Sequence, residues 1–160
     1  MVLGPPGSGK STLACRLGVR HALPVFHLDQ IHWRPDWVAA APDEFRRDVE
    51  RIARGSAWII DGNYAGTIAP RLLAADTIIY LDIPPWLSLV RILRRGLADY
   101  GHVRPDAAPG CPERLSPSFL RFAWHWNRTH RARTLAIVDG FTGRKVVLRT
   151  RTEARRFAED

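Results

Sequence analysis

Short apolar runs alternate with amphipathic segments along this chain. The runs are rich in β-branched and aromatic residues, which is typical of buried strands, and they cover residues 25–28, 57–60, 77–81 and 146–148. Between the first two runs, Phe45, Val49 and Ile52 recur at the spacing of a helix that begins near Pro42. Strands that alternate with helices predict an α/β fold whose parallel sheet is covered by helices on both faces.

Two further helices are predicted in the second half of the chain. One follows a stripe of apolar side chains at helical spacing, namely Trp86, Leu89, Val90 and Leu93. The other begins with Ser116 as its N-cap and Pro117 as its first residue, and it runs through Trp124. Between them, residues 96–117 are dense in turn-forming Gly and Pro. A loop of this length in a compact domain is usually functional or disordered.

The composition is that of an ordinary globular chain. Its 160 residues, 46% of them apolar and 25% charged, suit one compact domain over residues 1–160. No apolar run approaches the roughly 18 to 20 residues of a membrane-spanning helix, and the glycine-rich segment after Met1 does not resemble a signal peptide. We therefore expect a cytoplasmic protein. Cys15 and Cys111 lie far apart, so neither a disulfide nor a zinc site is expected.

The net charge of +8 does not identify a partner by itself. Lys10 and Lys145 are the two lysines among 24 basic residues, and the others are arginines. Arginine grips phosphate through two parallel hydrogen bonds, so these side chains could serve ATP, a phosphorylated acceptor or a DNA backbone. Charge leaves all three partners open.

The strongest chemical signal is the segment 4–11, which matches the pattern G-x-x-x-x-G-K-[ST] at every fixed position. Its glycines let backbone N–H groups turn inward around phosphate oxygens, and the helix that follows adds its positive end. In this P-loop pattern Lys10 reaches the β- and γ-phosphates, Ser11 binds Mg²⁺ and Thr12 lies near the α-phosphate. The predicted nucleotide-binding residues are Gly4, Gly7, Ser8, Gly9, Lys10, Ser11 and Thr12.

The strand before this loop is predicted to be short. Residues 1–3 alone precede the loop, whereas an average strand has about five or six residues. Either the strand is short or the sequence is truncated. In both cases we expect a loss of core stability and not a loss of the loop.

Two predicted strands are followed by an aspartate, Asp29 in one case and Asp61 in the other. Ligands of doubly wound sheets lie beyond the carboxyl ends of the strands, so both carboxylates are expected to point toward bound phosphate. We assign Asp61 to Mg²⁺, directly or through water. Asp29 would orient or deprotonate an acceptor hydroxyl. Asp82 also follows an apolar run, but Pro84 and Pro85 favour a turn and the start of a helix there.

Residues 28–37 (LDQIHWRPDW) and 58–64 (WIIDGNY), together with the loop, resemble the DNA topology modulation proteins (FlaR-type), which are small P-loop proteins related to adenylate kinase. The similarity continues to the closing strand and helix, through residues 71, 75–84, 111–114 and 119–126. This resemblance implies a nucleoside-monophosphate-kinase-like fold with a five-stranded parallel sheet. It also implies a lid over the phosphates, formed by a lid-like insertion at about residues 96–117.

The resemblance assigns roles to four arginines. Arg91 and Arg95 are similar to the arginines that open an adenylate kinase lid, and Arg128 and Arg131 to those on the returning lid helix. All four would neutralise charge that develops during phosphoryl transfer. The predicted catalytic residues are therefore Lys10, Asp29, Arg91, Arg95, Arg128 and Arg131.

The acceptor pocket is expected to differ from that of adenylate kinase. Asn63 and Tyr64 stand where that family has Phe-Pro, so an AMP acceptor does not follow from the resemblance. Arg71 lies several residues further on and would serve the pocket. Trp33 and Trp37 would line it and could stack on a base. The predicted acceptor pocket therefore consists of Asp29, Trp33, Trp37 and Arg71.

These features predict a phosphotransferase that uses ATP and Mg²⁺ and acts on a small hydroxyl compound such as a nucleoside, a nucleotide or a sugar-like molecule. Two alternatives stay open: a nucleotide-dependent DNA-binding regulatory protein, and a weak ATPase module that acts through a partner. The aromatic and basic residues that interleave at 124–131 have helical spacing, which favours core packing and phosphate-facing arginines over nucleic-acid binding. The acceptor itself would be read by residues 30–40 and 96–117.

Overall fold

A computed structural model of the protein describes residues 1–159. The strands of its main sheet are β1 (Val2–Leu3), β2 (Val25–His27), β5 (Ile59–Asp61), β6 (Thr77–Leu81) and β7 (Arg144–Leu148). All pairs in this sheet are parallel, in the order β2-β5-β1-β6-β7. The short strands β3 (Trp33–Arg34) and β4 (Val38–Ala39) form a separate antiparallel hairpin.

Helices pack on both faces of this sheet. They are α1 (Lys10–His21), α2 (Leu28–His32), α3 (Pro42–Ala53), α4 (Ile68–Ala74), α5 (Pro85–Ala98), α6 (Pro117–Thr129), α7 (Arg131–Gly140) and α8 (Arg151–Glu159). The predicted α/β class, with a five-stranded parallel sheet between helices, is confirmed. Within residues 1–159, none of the helices has both the length and the apolar character needed to cross a bilayer.

The central strand β1 has only two residues, in agreement with the short strand that the sequence predicted. Val2 pairs with Asp61 on one side and with Ile79 on the other. The Ile79 N–H donates to the Met1 carbonyl at 2.9 Å, which extends the ladder by one bond. Because β1 lies between β5 and β6, the loop that follows it emerges at the same edge of the sheet as Asp61.

The core divides into layers that follow the alternation of side chains along the strands. Val2 of β1 packs with Leu13 and Leu17 of α1 on one face of the sheet, where α8 also contributes. Leu3 packs on the opposite face with Trp126 of α6 and with residues of α7. A third cluster places α3 against β5. The sheet is thus buried on both faces, as parallel sheets require.

Helix α5 exposes much of the apolar stripe from which it was predicted, namely Trp86, Val90 and Leu93. Its buried face consists of Ser88, Ile92 and Gly96. The reason is close packing: a Cβ on Gly7 would lie 2.8 Å from the Ile92 Cγ1, and one on Gly96 would lie 2.3 Å from a methyl of Leu115. This face of α5 therefore supports the loop at residues 4–11 and the segment that follows α5.

Residues 99–116 correspond to most of the predicted insertion and contain no helix; one isolated β-bridge joins Tyr100 to Glu113. The segment packs on residues 30–37 through three kinds of donor. The Gln30 amide donates to the carbonyls of Pro105 and Ala107, the Asp36 N–H to that of Gly110, and the Trp37 indole to that of Pro112. The two regions expected to read an acceptor are thus in direct contact.

Candidate functional site

The loop between β1 and α1 has the backbone of a phosphate cradle. Gly4, Gly7 and Gly9 have φ values of +151°, +73° and +96°, which side chains rarely adopt. A Cβ on Gly7 would lie 2.6 Å from the Ser88 carbonyl oxygen, and one on Gly4 would lie 2.8 Å from the Leu81 carbonyl oxygen. The glycines of the pattern are therefore required by the path of the chain and by its neighbours.

The start of α1 offers uncompensated donors at this loop. The N-cap residue Gly9 has no side chain to cap the helix, and the first turn carries no acidic residue. The Ser8 hydroxyl is buried and has no hydrogen-bond partner in the described part of the chain. An orphaned hydroxyl and free helical N–H groups together suit the oxygens of a phosphate chain.

Lys10 lies where the phosphates would be. Its Nζ donates to the Pro5 carbonyl at 3.0 Å, across the loop. Burial lowers the pKa of Lys10, while the carboxylates of Asp61 and Asp29 oppose that effect and the Arg95 guanidinium adds to it. Two predicted carboxylates and one predicted lid arginine are thus close enough to influence the charge of this ammonium group.

Asn63 fixes the beginning of the loop. Its Nδ2 donates to the Gly4 carbonyl at 2.7 Å, and its Oδ1 accepts from the Gly4 N–H at 3.1 Å. This amide therefore pairs with both polar groups of one glycine, as a neighbouring strand would. The pairing extends the β1–β5 contact beyond the end of β1, so it compensates in part for the shortness of that strand.

Arg71 is fully buried and holds the segment that carries Asn63. Its guanidinium donates to the carbonyls of Gly62, Asn63, Tyr64 and Thr67 at 2.7 to 3.1 Å. Burial lowers the pKa of Arg71 to about 10. We expected Arg71 in an acceptor pocket, and the structure instead uses its donors for backbone carbonyls. Sequence spacing could not reveal this, because all the partners are main-chain atoms.

Asp61 is buried at the end of β5 and accepts a hydrogen bond from His27 of β2, with 2.7 Å between Nδ1 and Oδ2. That bond is the largest influence on His27, whose pKa it raises against the opposing effect of burial. The other ring nitrogen of His27 lies 3.6 Å from the Sγ of Cys15. Within residues 1–159, no donor bonds to the second carboxylate oxygen of Asp61, which is left for another ligand.

The chemistry of these residues fits a magnesium ion. No group of three or more His, Cys, Asp or Glu in the described chain could hold a metal by itself. Mg²⁺ is often held by one or two protein oxygens together with phosphate oxygens and water. Ser11 at the start of α1 and the second oxygen of Asp61 would supply the protein ligands.

Asp29 lies in α2, directly after β2, and its side chain is exposed. The Tyr64 hydroxyl donates to its Oδ1 at 2.6 Å. Burial, followed by the charge of Asp29, raises the pKa of Tyr64. Tyr64 also has a φ of +28°, a strained value for a residue with a side chain. Arg71 donates to the Tyr64 carbonyl, and the phenol of the same residue reaches Asp29.

Aromatic rings continue from Tyr64 toward the hairpin. His32 contacts the rings of Tyr64 and Trp33, with 4.8 Å between centroids in each pair. Trp33 and Trp37 lie 5.7 Å apart, and the guanidinium of Arg114 sits 5.2 Å above the Trp37 ring. The two predicted pocket tryptophans are thus brought together, next to the residues that follow α5.

The four arginines implied by the resemblance have different surroundings. Arg91 donates to the Ser8 carbonyl at 2.7 Å, so it lies on the loop. Arg95 donates twice to Glu113, at 3.1 and 2.9 Å. Arg128 is exposed on α6. Arg131 forms two 2.7 Å bonds with the buried carboxylate of Asp82, which anchors α7 to the end of β6.

Several residues of the site were not predicted for the roles they have here. They are His27, Asn63, Tyr64, Glu113 and Arg104, whose Nε donates to Glu113 at 2.9 Å. The one available signal was the departure of Asn63 and Tyr64 from the adenylate kinase pattern. The remaining contacts join residues far apart in sequence.

Comparisons with known proteins agree with this geometry at the level of the fold. No family model matches the chain, and no curated protein matches it. Among solved structures, a shikimate kinase from Acinetobacter baumannii in complex with shikimate is similar, with 18% identity, a TM-score of 0.58, and coverage of 99% of this chain and 87% of that chain.

Two other structures are similar over the same span. A gluconokinase from Sinorhizobium meliloti has 17% identity and a TM-score of 0.54, with 99% of this chain and 91% of that chain covered. A sugar kinase from a Janibacter species has 15% identity and a TM-score of 0.52, with coverage of 99% and 88%. At such identities the likeness shows a shared fold, a five-stranded parallel sheet between helices. The resemblance to the DNA topology modulation proteins stays a prediction.

Proposed function

We propose that this protein is a phosphotransferase that uses ATP and Mg²⁺ and transfers the terminal phosphoryl group to a hydroxyl of a small acceptor. The observation that carries the proposal is the position of Lys10. It lies in a P-loop, among the charges of Asp61 and Asp29, which follow two neighbouring strands. The phosphate-binding loop and a carboxylate suited to an acceptor hydroxyl would therefore both act on the charge of Lys10.

The residues divide the chemistry among themselves. The loop N–H groups, Ser8 and Lys10 bind the phosphates, and Ser11 with Asp61 would hold Mg²⁺, whose charge would offset that of the phosphate oxygens. Asp29 would orient the acceptor hydroxyl and take its proton. A single carboxylate serves for this step because phosphoryl transfer depends mainly on positioning and charge stabilisation.

Arg91 is the arginine that supports the transfer best, and Arg95, which is paired with Glu113, acts on the loop only through its charge. Arg91 already contacts the loop, and Arg95 influences Lys10 electrostatically. Arg131 is committed to Asp82 and Arg128 lies exposed on α6, so both would need to move to reach a phosphate. The contact between residues 99–116 and 30–37 would exclude water from the acceptor side during transfer.

The test is acceptor-dependent release of ADP by the purified protein, measured with a panel of hydroxyl compounds against a blank without acceptor. We expect Lys10→Ala to abolish the acceptor-dependent rate while the circular dichroism spectrum stays native. Release that continues unchanged in Lys10→Ala would refute the assignment. A slow background that no acceptor increases would favour the ATPase module instead.

A further inference from the structure

We propose that the acceptor carries no phosphate or carboxylate, and that it is a neutral or amino-substituted hydroxyl compound. This inference rests on the proposed function and specifies its substrate class. The similar solved structures include a gluconokinase and a shikimate kinase bound to shikimate, so the inference separates this chain from what the names of those proteins suggest.

The first argument is that two basic side chains on the acceptor side, Arg71 and Arg34, already have carbonyl or acidic partners. Arg71 is fully buried and donates hydrogen bonds to four backbone carbonyls. Arg34 of the hairpin is paired with Glu44 of α3. A phosphate or carboxylate on the acceptor would find the Arg71 guanidinium buried and occupied, and would have to compete with Glu44 for Arg34.

The second argument is the ion-pair network around Glu113. This buried carboxylate accepts from Arg95 through Oε1 and from Arg104 through Oε2, at 2.9 Å in each case. Arg104 also donates to both oxygens of Asp106, at 2.8 and 3.0 Å. Two carboxylates, Glu113 and Asp106, therefore neutralise Arg95 and Arg104. An anionic acceptor would have to compete for these guanidinium groups with the protein's own carboxylates.

The third argument is the exposed acid in the same place. Asp29 is exposed, and its one partner among the described residues is the neutral Tyr64 hydroxyl. Burial lowers the pKa of His32, which keeps that neighbouring ring uncharged at neutral pH. A free carboxylate beside uncharged aromatic rings favours hydroxyl or ammonium groups and repels anions.

Arg114, a cation on this side, has no carboxylate partner among residues 1–159. Arg114 is exposed and lies over the Trp37 ring. Its contact with the ring is stabilising, but it leaves the guanidinium donors open. Arg114 is thus the residue that an anionic acceptor would use. Its substitution tests whether an anionic acceptor binds here.

The experiment measures binding and transfer for matched pairs of compounds that differ by one anionic group. Adenosine is compared with adenosine 5′-monophosphate, and glucose with gluconate, in the presence of Mg²⁺. Affinity is measured by titration calorimetry with a non-hydrolysable ATP analogue, and transfer is measured by mass spectrometry with ATP. We expect the neutral member of a pair to bind at least about tenfold more tightly, a difference of about 1.4 kcal/mol, because the anionic member would bring a charge without a free partner.

The outcomes separate this inference from the proposed function. Tighter binding of the neutral member without transfer would support the inference and refute the phosphotransferase. Tighter binding of the anionic member, lost in Arg114→Gln, would overturn the inference, and its phosphorylation would uphold the phosphotransferase. Binding of neither member in both pairs would overturn both.

A variant tests the cause of the selectivity. Glu113→Gln removes the charge that holds Arg95 and Arg104, so we expect the affinity for the anionic member to rise about tenfold relative to the neutral member. Asp48→Asn is the matched control, because it removes a carboxylate from the exposed pair with Arg51 on α3. An unchanged ratio in Glu113→Gln, with native circular dichroism, would overturn the assigned role of this network.

Discussion

At the scale of single residues, the site depends on side chains that complete the hydrogen bonds of the backbone. Asn63 pairs with both polar groups of Gly4, and Arg71 binds the carbonyls around Asn63. Neither residue needs to touch a phosphate to be essential for the loop. A buried polar group without a hydrogen-bond partner destabilises the fold by roughly 1 to 3 kcal/mol. Loss of either side chain would therefore destabilise the phosphate-binding loop.

The Asn63 clamp gives the first prediction at this scale. Asn63→Ala removes two hydrogen bonds from Gly4, and we expect the free energy of unfolding to fall by about 1 to 3 kcal/mol. The affinity for ATP should fall as well, because the loop loses its attachment to β5. Chemical denaturation and nucleotide titration measure the two effects.

Asn127→Ala provides the matched control for this prediction. The Oδ1 of Asn127 is buried on α6 and has no hydrogen-bond partner in the described part of the chain. The same substitution there should leave ATP affinity unchanged. Equal losses of ATP affinity in the two variants would contradict a specific role of Asn63 at the loop.

At the scale of elements, α5 is the support on which the loop and the following segment both rest. Its inner face carries Ile92 against Gly7, and Arg91 and Arg95 reach the loop and Glu113 from the same helix. The helix thus connects donor and acceptor sides through rigid packing. Its outer face carries exposed apolar side chains, which explains why hydrophobic spacing predicted the helix but not its orientation.

Two substitutions on α5 test this orientation. Ile92→Ala removes a side chain that is 2% exposed, and Leu97→Ala removes the same number of carbon atoms from a side chain that is 72% exposed. We expect a loss of about 2 to 4 kcal/mol in the free energy of unfolding for Ile92→Ala and a change within about 0.5 kcal/mol for Leu97→Ala. Thermal or urea denaturation measures both, and equal losses would contradict the packing described above.

At the scale of the whole molecule, the short strand β1 makes stability depend on the ligand. Two residues connect the loop to the centre of the sheet, and the Lys10 side chain and the Ser8 hydroxyl have few protein partners. Bound phosphates would satisfy these donors and join α1 to the loop. Binding should therefore increase the stability of the whole domain by mass action.

The corresponding prediction concerns Mg²⁺ and ATP together. At a free ATP concentration of about 100 times the Kd, the free energy of unfolding should rise by about 2.7 kcal/mol, and the Tm by about 5 to 10 °C. Differential scanning fluorimetry with ATP, with and without a chelator, measures this shift. A Tm that is independent of ATP would contradict the nucleotide site, and one that is independent of the chelator would contradict the Mg²⁺ ligands.

The sequence alone determined the elements whose signals are local. The glycines of residues 4–11 are fixed by a backbone path that side chains rarely adopt, and the run at 77–81 is apolar because both faces of a parallel strand are buried. Ser116 was also identified correctly as an N-cap, since its side chain accepts from the Phe119 N–H. In each case the cause lies within a few residues of its effect.

Only the tertiary structure decided which side chains meet. The bonds from His27 to Asp61 and from Asn63 to Gly4 cross between strands. The orientation of α5 and the partners of Arg71 depend on neighbours that are distant in sequence. The periodicity of the sequence therefore does not predict them. Phosphate binding could be predicted because a single loop of contiguous residues carries it. The net charge of the acceptor site depends instead on residues from several elements, which only folding brings together.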